Sequence, residues 1–245
     1  MTGSRVTSRL LDGIPHGFSD RHGLSAHDLV PGPGAGAGEV RVKQVHGAAV
    51  MAATEPFAAR PEADGLVTAT PGLVLSIVTA DCAPVLLSDA EAGVVAAVHA
   101  GWRGAVLGIA GEAVAAMERL GAQAERIRAA IGPCIHQRSY EVDAAMRDRF
   151  AAPDADRFFS ESSPDRWLFD LPGFVASRLA QAGVGACDIL PFDTYRDAYP
   201  GEQGGGPRFH SYRRASHEGG ATGGRQVSMI ALGPVEGRQG ARASA

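Results

Sequence analysis

The sequence predicts a mixed α/β fold, and three observations carry that reading. Two largely apolar runs, Leu73 to Val78 and Val94 to Val98, have the length of buried strands. Val106, Ile109, Ala110, Ala113, Val114, Met117 and Leu120 recur at three- and four-residue steps, with Glu112 and Glu118 on the polar face, the pattern of an amphipathic helix closed by Gly121. Strand-like and helix-like segments alternate without an internal repeat or a domain linker. The chain therefore reads as one α/β domain over residues 1–235, with 236–245 as a disordered tail.

Taken in order, Arg9 to Ile14 reads as a short strand, and the following PHGFSDRHGLS as loop, punctuated by Pro15, Gly17 and Gly23. PGPGAGAG, residues 31–38, is a connector: no strand precedes its glycines and no helix follows, so a phosphate-binding loop is not implied. Arg41 to Val45 reads as a strand that delivers His46, and Ala49 to Ala53 as its returning partner. Asp64-Gly65 makes a turn into a short strand, which leads into the two apolar runs. Arg126 to Ile131 is a strand ending in Gly132-Pro133-Cys134. Val142, Met146 and Phe150, four apart, give a second helix; a third starts at the N-cap Asp170, with Pro172 in its first turn, and ends at Gly183. Asp188 to Phe192 is a strand, 201–207 a mobile loop, and Phe209 to Arg213 pairs with Gln226 to Leu232 around a glycine-rich bend at 219–224.

Composition narrows the function. The 245 residues are 45% hydrophobic and 20% charged with a net charge of −4, and no basic stripe appears, which argues against a nucleic-acid partner. No apolar run is long enough to span a bilayer, and the N-terminus lacks a signal-like apolar stretch. The three cysteines, Cys82, Cys134 and Cys187, are odd in number and widely spaced, which reads as reduced thiols in the cytoplasm. Lys43 is the sole lysine, so the many arginines reflect a compositional bias as much as a choice of guanidinium geometry.

Chemistry gathers at strand ends. His46 follows VKQV, Cys82 follows the first apolar run, and His99 closes the second. If the two apolar strands are neighbours, Cys82 and His99 emerge at one edge of one sheet. Two imidazoles and a thiol make either a three-ligand metal site with an open position or a Cys-His nucleophile pair. Their spacing is too long for a zinc finger or ribbon and suits ligands drawn from separate strands. Arg103, in Gly101-Trp102-Arg103-Gly104 before a helix, is either an anion ligand or an arginine packed on Trp102. Arg213 and Arg214 in FHSYRRA, with Arg225, form a second candidate anion site or the charges of an exposed hairpin. His16 and Tyr212 are candidate pocket residues, Asp81 and His16 candidate proton carriers, and Cys134 and Cys187 read as structural.

Together VKQVHG, ADGLVT, TADCAPVLL, AAVHAGWRG, AAIGPCI with YEV, and SYRR with TGGRQ resemble the YfiH family, in order from about Ile14 to Leu232. That family has been described as multicopper polyphenol oxidase or laccase-like, as purine nucleoside phosphorylase and as peptidoglycan editing factor. The resemblance implies mixed sheets packed between helices, related to the cysteine hydrolase fold of cytotoxic necrotizing factor. It implies a zinc site, with copper as the alternative metal, at His46, Cys82 and His99, which would also be the catalytic residues. Arg103, Arg213 and Arg214 then become phosphate ligands. The implied activities are phosphorolysis of adenosine, inosine and methylthioadenosine and deamination of adenosine, the small-molecule partners being a purine nucleoside and phosphate. A Cys-His amidase acting on a peptidoglycan precursor and a non-catalytic binding protein are the alternatives. Eight histidines without a His-x-His pair do not provide the several centres that a copper oxidase needs. The chain departs from the family pattern in the short segment before QVHG, in Asp193 before Thr194, and in the inserted ASHEGGA after Arg214.

Overall fold

The computed structural model describes residues 5–30, 38–200 and 205–233; the connector before Gly38, the start of the 201–207 loop and the tail beyond Gly233 lie outside them. The strands are β1 (Arg5–Val6), β2 (His16–Ser19), β3 (Glu39–Val40), β4 (Val50–Ala52), β5 (Gly65–Thr68), β6 (Val74–Thr79), β7 (Ala83–Asp89), β8 (Val94–Ala100), β9 (Arg128–Ile131), β10 (Glu141–Asp143), β11 (Phe159–Ser163), β12 (Arg166–Phe169), β13 (Ala186–Ile189) and β14 (Gln226–Ala231). The helices are α1 (Ala26–Leu29), α2 (Trp102–Val106), α3 (Ile109–Arg119), α4 (Ala144–Arg147), α5 (Ala152–Phe158), α6 (Leu171–Gln181) and α7 (Tyr212–Glu218).

Three sheets result: β1-β2-β14-β6-β3, β13-β9-β7-β8-β5-β4 and the small β10-β12-β11. The first two mix parallel and antiparallel pairs and stack face to face. β7 and β8 form a hairpin buried along its whole length. Their apolar runs leave no polar face, as strands covered on both sides require. Alternation then divides the side chains: Val94, Ala96, Val98 and Ala100 pack toward α3 and α6, whereas Val95 and Ala97 join Leu75, Ile77 and Phe18 between the sheets. His99 takes the next place on that inter-sheet face. The order is therefore sheet, sheet, helix, with α1 covering part of the outer side of the first sheet through Leu29 and Val30. Among the described residues no helix is long and apolar enough to cross a membrane.

The mixed α/β class holds, and several elements differ from expectation. Cys82 and His99 do not belong to neighbouring strands of one sheet through β6 and β8. Those strands lie in different sheets and meet face to face. Residues 80–82, with Asp81 at φ 83, carry the chain from the first sheet into β7 of the second. Arg9–Leu11 is a 3-10 turn capped by Ser8, and the N-terminal strand that pairs with β14 lies in the expected loop at His16–Ser19. Residues 41–45 are irregular beyond β3, held by a bridge from Lys43 to Glu62, and β4 pairs with β5 instead. The long helix is split at Gly108, φ 93, into α2 and α3. The second helix shrinks to α4, because Glu141–Asp143 pairs with β12. The expected strand Phe209 to Arg213 is replaced by a helix, α7, that starts at Tyr212: Ser211 caps it, its hydroxyl accepting from the Arg214 N–H.

Two glycines give a test with opposite signs. A Cβ at Gly132 would fall within the ring of fully buried Phe18, whereas one at Gly111, on the exposed face of α3, meets nothing within 4 Å. Gly132→Ala is expected to cost about 1–3 kcal/mol by overpacking, and Gly111→Ala to stabilise by about 1 kcal/mol through helix propensity. Urea unfolding measures both; changes of the same sign contradict this packing.

Candidate metal centre and its cavity

The site grows from the end of β8. His99 is 2% exposed, and its Nδ1 lies 2.7 Å from Oδ1 of the fully buried Asp64. A carboxylate can only accept here, so Nδ1 carries a proton and Nε2 is the ring nitrogen left to face other partners. The pairing of Gly65 with Val98 sets Asp64 opposite His99, and the His99 N–H also donates to the Asp64 carbonyl at 2.7 Å. The same carboxylate accepts backbone N–H bonds from Val45 at 3.2 Å, His46 at 2.9 Å and Gly47 at 2.7 Å. These three donors hold His46 in the left-handed region at φ 60, uncommon for a side chain of its size. Gln44 anchors the other end of the loop, donating to Val78 O at 2.8 Å and accepting from Val78 N at 2.9 Å.

The result is a cluster. Ligand atoms of His46, Cys82 and His99 all lie within 4.8 Å of one another, and the two imidazole centroids are 4.8 Å apart with the rings at 80°. Burial works against charge on Asp64, but the His99 hydrogen bond and the backbone donors outweigh it and hold its carboxyl below the usual range. Burial pushes the Cys82 thiol up, yet hydrogen bonds from His46 and His99 bring it down to about 7. Burial disfavours the His99 imidazolium, while Asp64 and the Cys82 sulfur raise its pKa to about 9.

The residues fit a zinc ion. Two imidazole nitrogens and a thiolate are zinc donors, and a three-donor set leaves one position open. His99 already has the carboxylate behind it that orients metal-bound histidines. Two glycines of the HAGWRG stretch clear the space. A Cβ at Gly101 would stand 3.0 Å from Cys82 Sγ and 3.1 Å from His46 Cδ2, and one at Gly104 would stand 2.6 Å from Gly47 O. Helix α2 can therefore pack directly against the His46 loop. Among the described residues this is the one group of three or more His, Cys, Asp or Glu side chains close enough to share an ion.

The cluster opens on a cavity of about 650 Å³. Val42, Val78, Ile135 and Leu171 give apolar wall, Tyr140 and Tyr212 aromatic faces, and Arg213 and Arg225 positive charge. Burial drives the Tyr140 phenol well above its usual pKa. Arg213 Nη1 donates to Glu141 O at 2.6 Å and its guanidinium lies 5.3 Å from the Tyr140 ring. Arg225 Nη1 donates to Thr222 O and Gly224 O.

The other candidates fall elsewhere. Arg103 is exposed on α2, 5.2 Å from the Trp102 ring, and does not line this cavity. Arg214 faces away, its guanidinium spent on the carbonyls of Thr194, Tyr195 and Phe209. His16 is buried with both ring nitrogens engaged, Nδ1 donating to Ile14 O and Nε2 accepting from Ser8 N. Burial lowers its pKa. It is a neutral structural residue, not a proton carrier. Cys134 is fully buried, with a pKa pushed far up by that burial, and Cys187 is half-buried with its thiol pKa raised by burial to about 11. The sequence reading passed over Asp64, seen there only as half of a turn, and over Tyr140 and Gln44. What marks Asp64 is its register opposite His99, which depends on knowing that β5 pairs with β8.

The chain is similar to known proteins over most of its length. A family model described as multi-copper polyphenol oxidoreductase laccase matches residues 33–233. A Mycobacterium tuberculosis protein named purine nucleoside phosphorylase Rv2149c is 41% identical over 183 residues, 74% of this chain and 68% of that one. A Deinococcus radiodurans purine nucleoside phosphorylase is 42% identical over 200 residues, covering 82% and 72%. Among solved structures, YlmD from Geobacillus stearothermophilus superimposes with TM-score 0.75 at 26% identity over 95% of this chain and 96% of its own. Bacillus licheniformis hypothetical protein YfiH does so with TM-score 0.78 at 24% identity over 94% and 96%, a likeness of fold.

Gly101→Ala tests the crowding of the three donors. The added methyl is expected to weaken zinc affinity by about tenfold, the scale on which supporting positions act, with little change in thermal stability. Competition with a chromophoric chelator reads the affinity; wild-type binding in the variant contradicts the geometry.

Proposed function

This chain belongs to the multi-copper polyphenol oxidoreductase laccase family, and from that premise we propose that it is a zinc-dependent purine nucleoside phosphorylase. Relatives at about 41% identity bear that name. The observation that carries the reading is the His46–Cys82–His99 cluster set in the wall of a cavity that also presents Arg213 and Arg225. An oxidase of several copper centres needs further ligand clusters, and the donor set here supports a single zinc.

Phosphorolysis joins a phosphate oxygen to the anomeric carbon while the glycosidic bond breaks and the purine leaves with a proton. The demands are orientation of two reactants and positive charge for the anion. Arg213 and Arg225 each keep guanidinium donors beyond those bound to backbone carbonyls; their role is to hold phosphate. Val42, Val78, Ile135 and Leu171 give the purine a dry apolar surface, and Tyr140 and Tyr212 offer ring faces. His46, Cys82 and His99 would hold the ion, which when bound supplies Lewis acidity at its open position. The same open set supports hydrolytic deamination of adenosine as a second activity. Unpaired cysteines support a reducing, cytoplasmic setting.

One observation favours a second reading. A thiol at about pKa 7 beside two imidazoles is also the arrangement of a Cys-His hydrolase. Metal dependence separates the two. With adenosine, the zinc-loaded protein is expected to form ribose 1-phosphate and adenine only when phosphate is present, and inosine with or without it. Chelation, or Cys82→Ala, is expected to lower both rates by at least about a hundredfold. Product chromatography reads both. Activity that survives chelation, with alkylation of Cys82 as the inactivating event, would favour the hydrolase; no turnover with zinc restored would remove the enzymatic reading.

A further inference from the structure

Asp81 stands one residue before Cys82 yet does not join the ligand cluster. It is 9% exposed and sits at φ 83 in the crossing between β6 and β7. Both carboxylate oxygens are engaged. Oδ1 accepts from the fully buried Thr194 hydroxyl at 2.7 Å, and Oδ2 accepts from the backbone N–H of Arg213 at 2.7 Å. Its own carbonyl accepts from Ile135 N at 2.9 Å, which fixes the turn from behind.

The Arg213 N–H belongs to the first turn of α7, where no carbonyl of the helix can reach it. Ser211, the N-cap, satisfies the N–H of Arg214 and not that of Arg213. A carboxylate from a distant segment supplies the missing acceptor. The contact closes through a second route, since Thr194 returns its carbonyl to the Arg214 guanidinium at 2.8 Å. Two residues of that first turn, Tyr212 and Arg213, line the cavity, although Tyr212 is itself 54% exposed. The turn that presents the thiol and the turn that presents the arginine are thus fastened to one side chain.

We infer that Asp81 is a positioning residue that sets Arg213 and Tyr212 relative to Cys82, and that it carries no proton in the reaction. Each oxygen already meets a donor with no reason to surrender its proton, an amide N–H and a hydroxyl. What the carboxylate controls is where α7 begins. Loss of the acceptor leaves the half-buried Arg213 N–H without its partner, and the first turn of α7 loosens. The kinetic consequence rests on the phosphorylase reading, in which Arg213 holds phosphate; the structural consequence does not.

The test uses zinc-loaded wild type, Asp81→Gly and Thr194→Val. Glycine tolerates the left-handed backbone and removes both acceptors, whereas asparagine could keep both contacts, its oxygen accepting from Arg213 N–H and its NH₂ donating to the Thr194 hydroxyl. Hydrogen exchange by mass spectrometry on the peptide covering 212–218 is expected to quicken by about tenfold in Asp81→Gly, with β7 and β8 unchanged. In phosphorolysis KM for phosphate is expected to rise about tenfold, with kcat within about twofold, zinc content intact and the pH profile unmoved. Thr194→Val, which leaves the Arg213 contact in place, shifts both readouts the same way by less, and decides the matter if Asp81→Gly fails to fold. Unchanged exchange in α7 overturns the proposal, as does a collapse of kcat with loss of one limb of the pH profile. Absence of phosphorolysis in the wild type sinks the phosphorylase reading alone, and the exchange measurement still judges Asp81.

Discussion

One buried carboxylate does the gathering. Asp64 receives the imidazole N–H of His99 and three consecutive backbone N–H groups around His46. A buried charge without partners would cost far more than a surface ion pair returns, and here four donors satisfy it. The same bonds orient the ring of one ligand and bend the backbone under the other into a conformation it would not choose. Two candidate ligands far apart in sequence are therefore fixed by one side chain.

The third ligand is fixed by the way the sheets stack. Strands β6 and β7 occupy facing sheets, and the chain passes between them in three residues, ending on Cys82. A longer connection would leave the sulfur free to wander; this one is tied by Asp81 through its carbonyl and both carboxylate oxygens. The two acidic residues divide the work. Asp64 ties the His99 ring to the backbone under His46, and Asp81 binds the thiol-bearing turn to the wall that carries Arg213. Glycines at 101 and 104 keep the space between these parts clear, because any side chain there would press on Sγ, the His46 ring or the Gly47 carbonyl.

The sequence revealed the parts of this arrangement better than their assembly. His46, Cys82 and His99 each end or follow an apolar run, and a polar residue at such a place is conspicuous. The helical stripe from Val106 to Leu120 was equally plain, although Gly108 breaks it. Less was legible where tertiary partners decide the outcome. Phe209 to Arg213 reads as strand in sequence, while the caps from Ser211 and the distant Asp81 start a helix at Tyr212. His16–Ser19 reads as loop for its glycine, yet β14 supplies a ladder partner. Arg213 and Arg214 are indistinguishable in sequence, and one step of about 100° around the helix sends one to the cavity and the other to three backbone carbonyls. Asp64 was hidden in an ordinary Asp-Gly turn.

The cluster of His46, Cys82 and His99, the cavity arginines and the apolar wall thus lie on separate elements joined by two acidic side chains. The central claim is that Asp64 makes the metal site, and its replacement by asparagine measures that directly. Zinc affinity of Asp64→Asn, determined by chelator competition on folded protein, is expected to be about 10–100-fold weaker than wild type, the range for loss of a carboxylate behind a metal-bound histidine. An unchanged affinity, with the fold intact, would contradict the account.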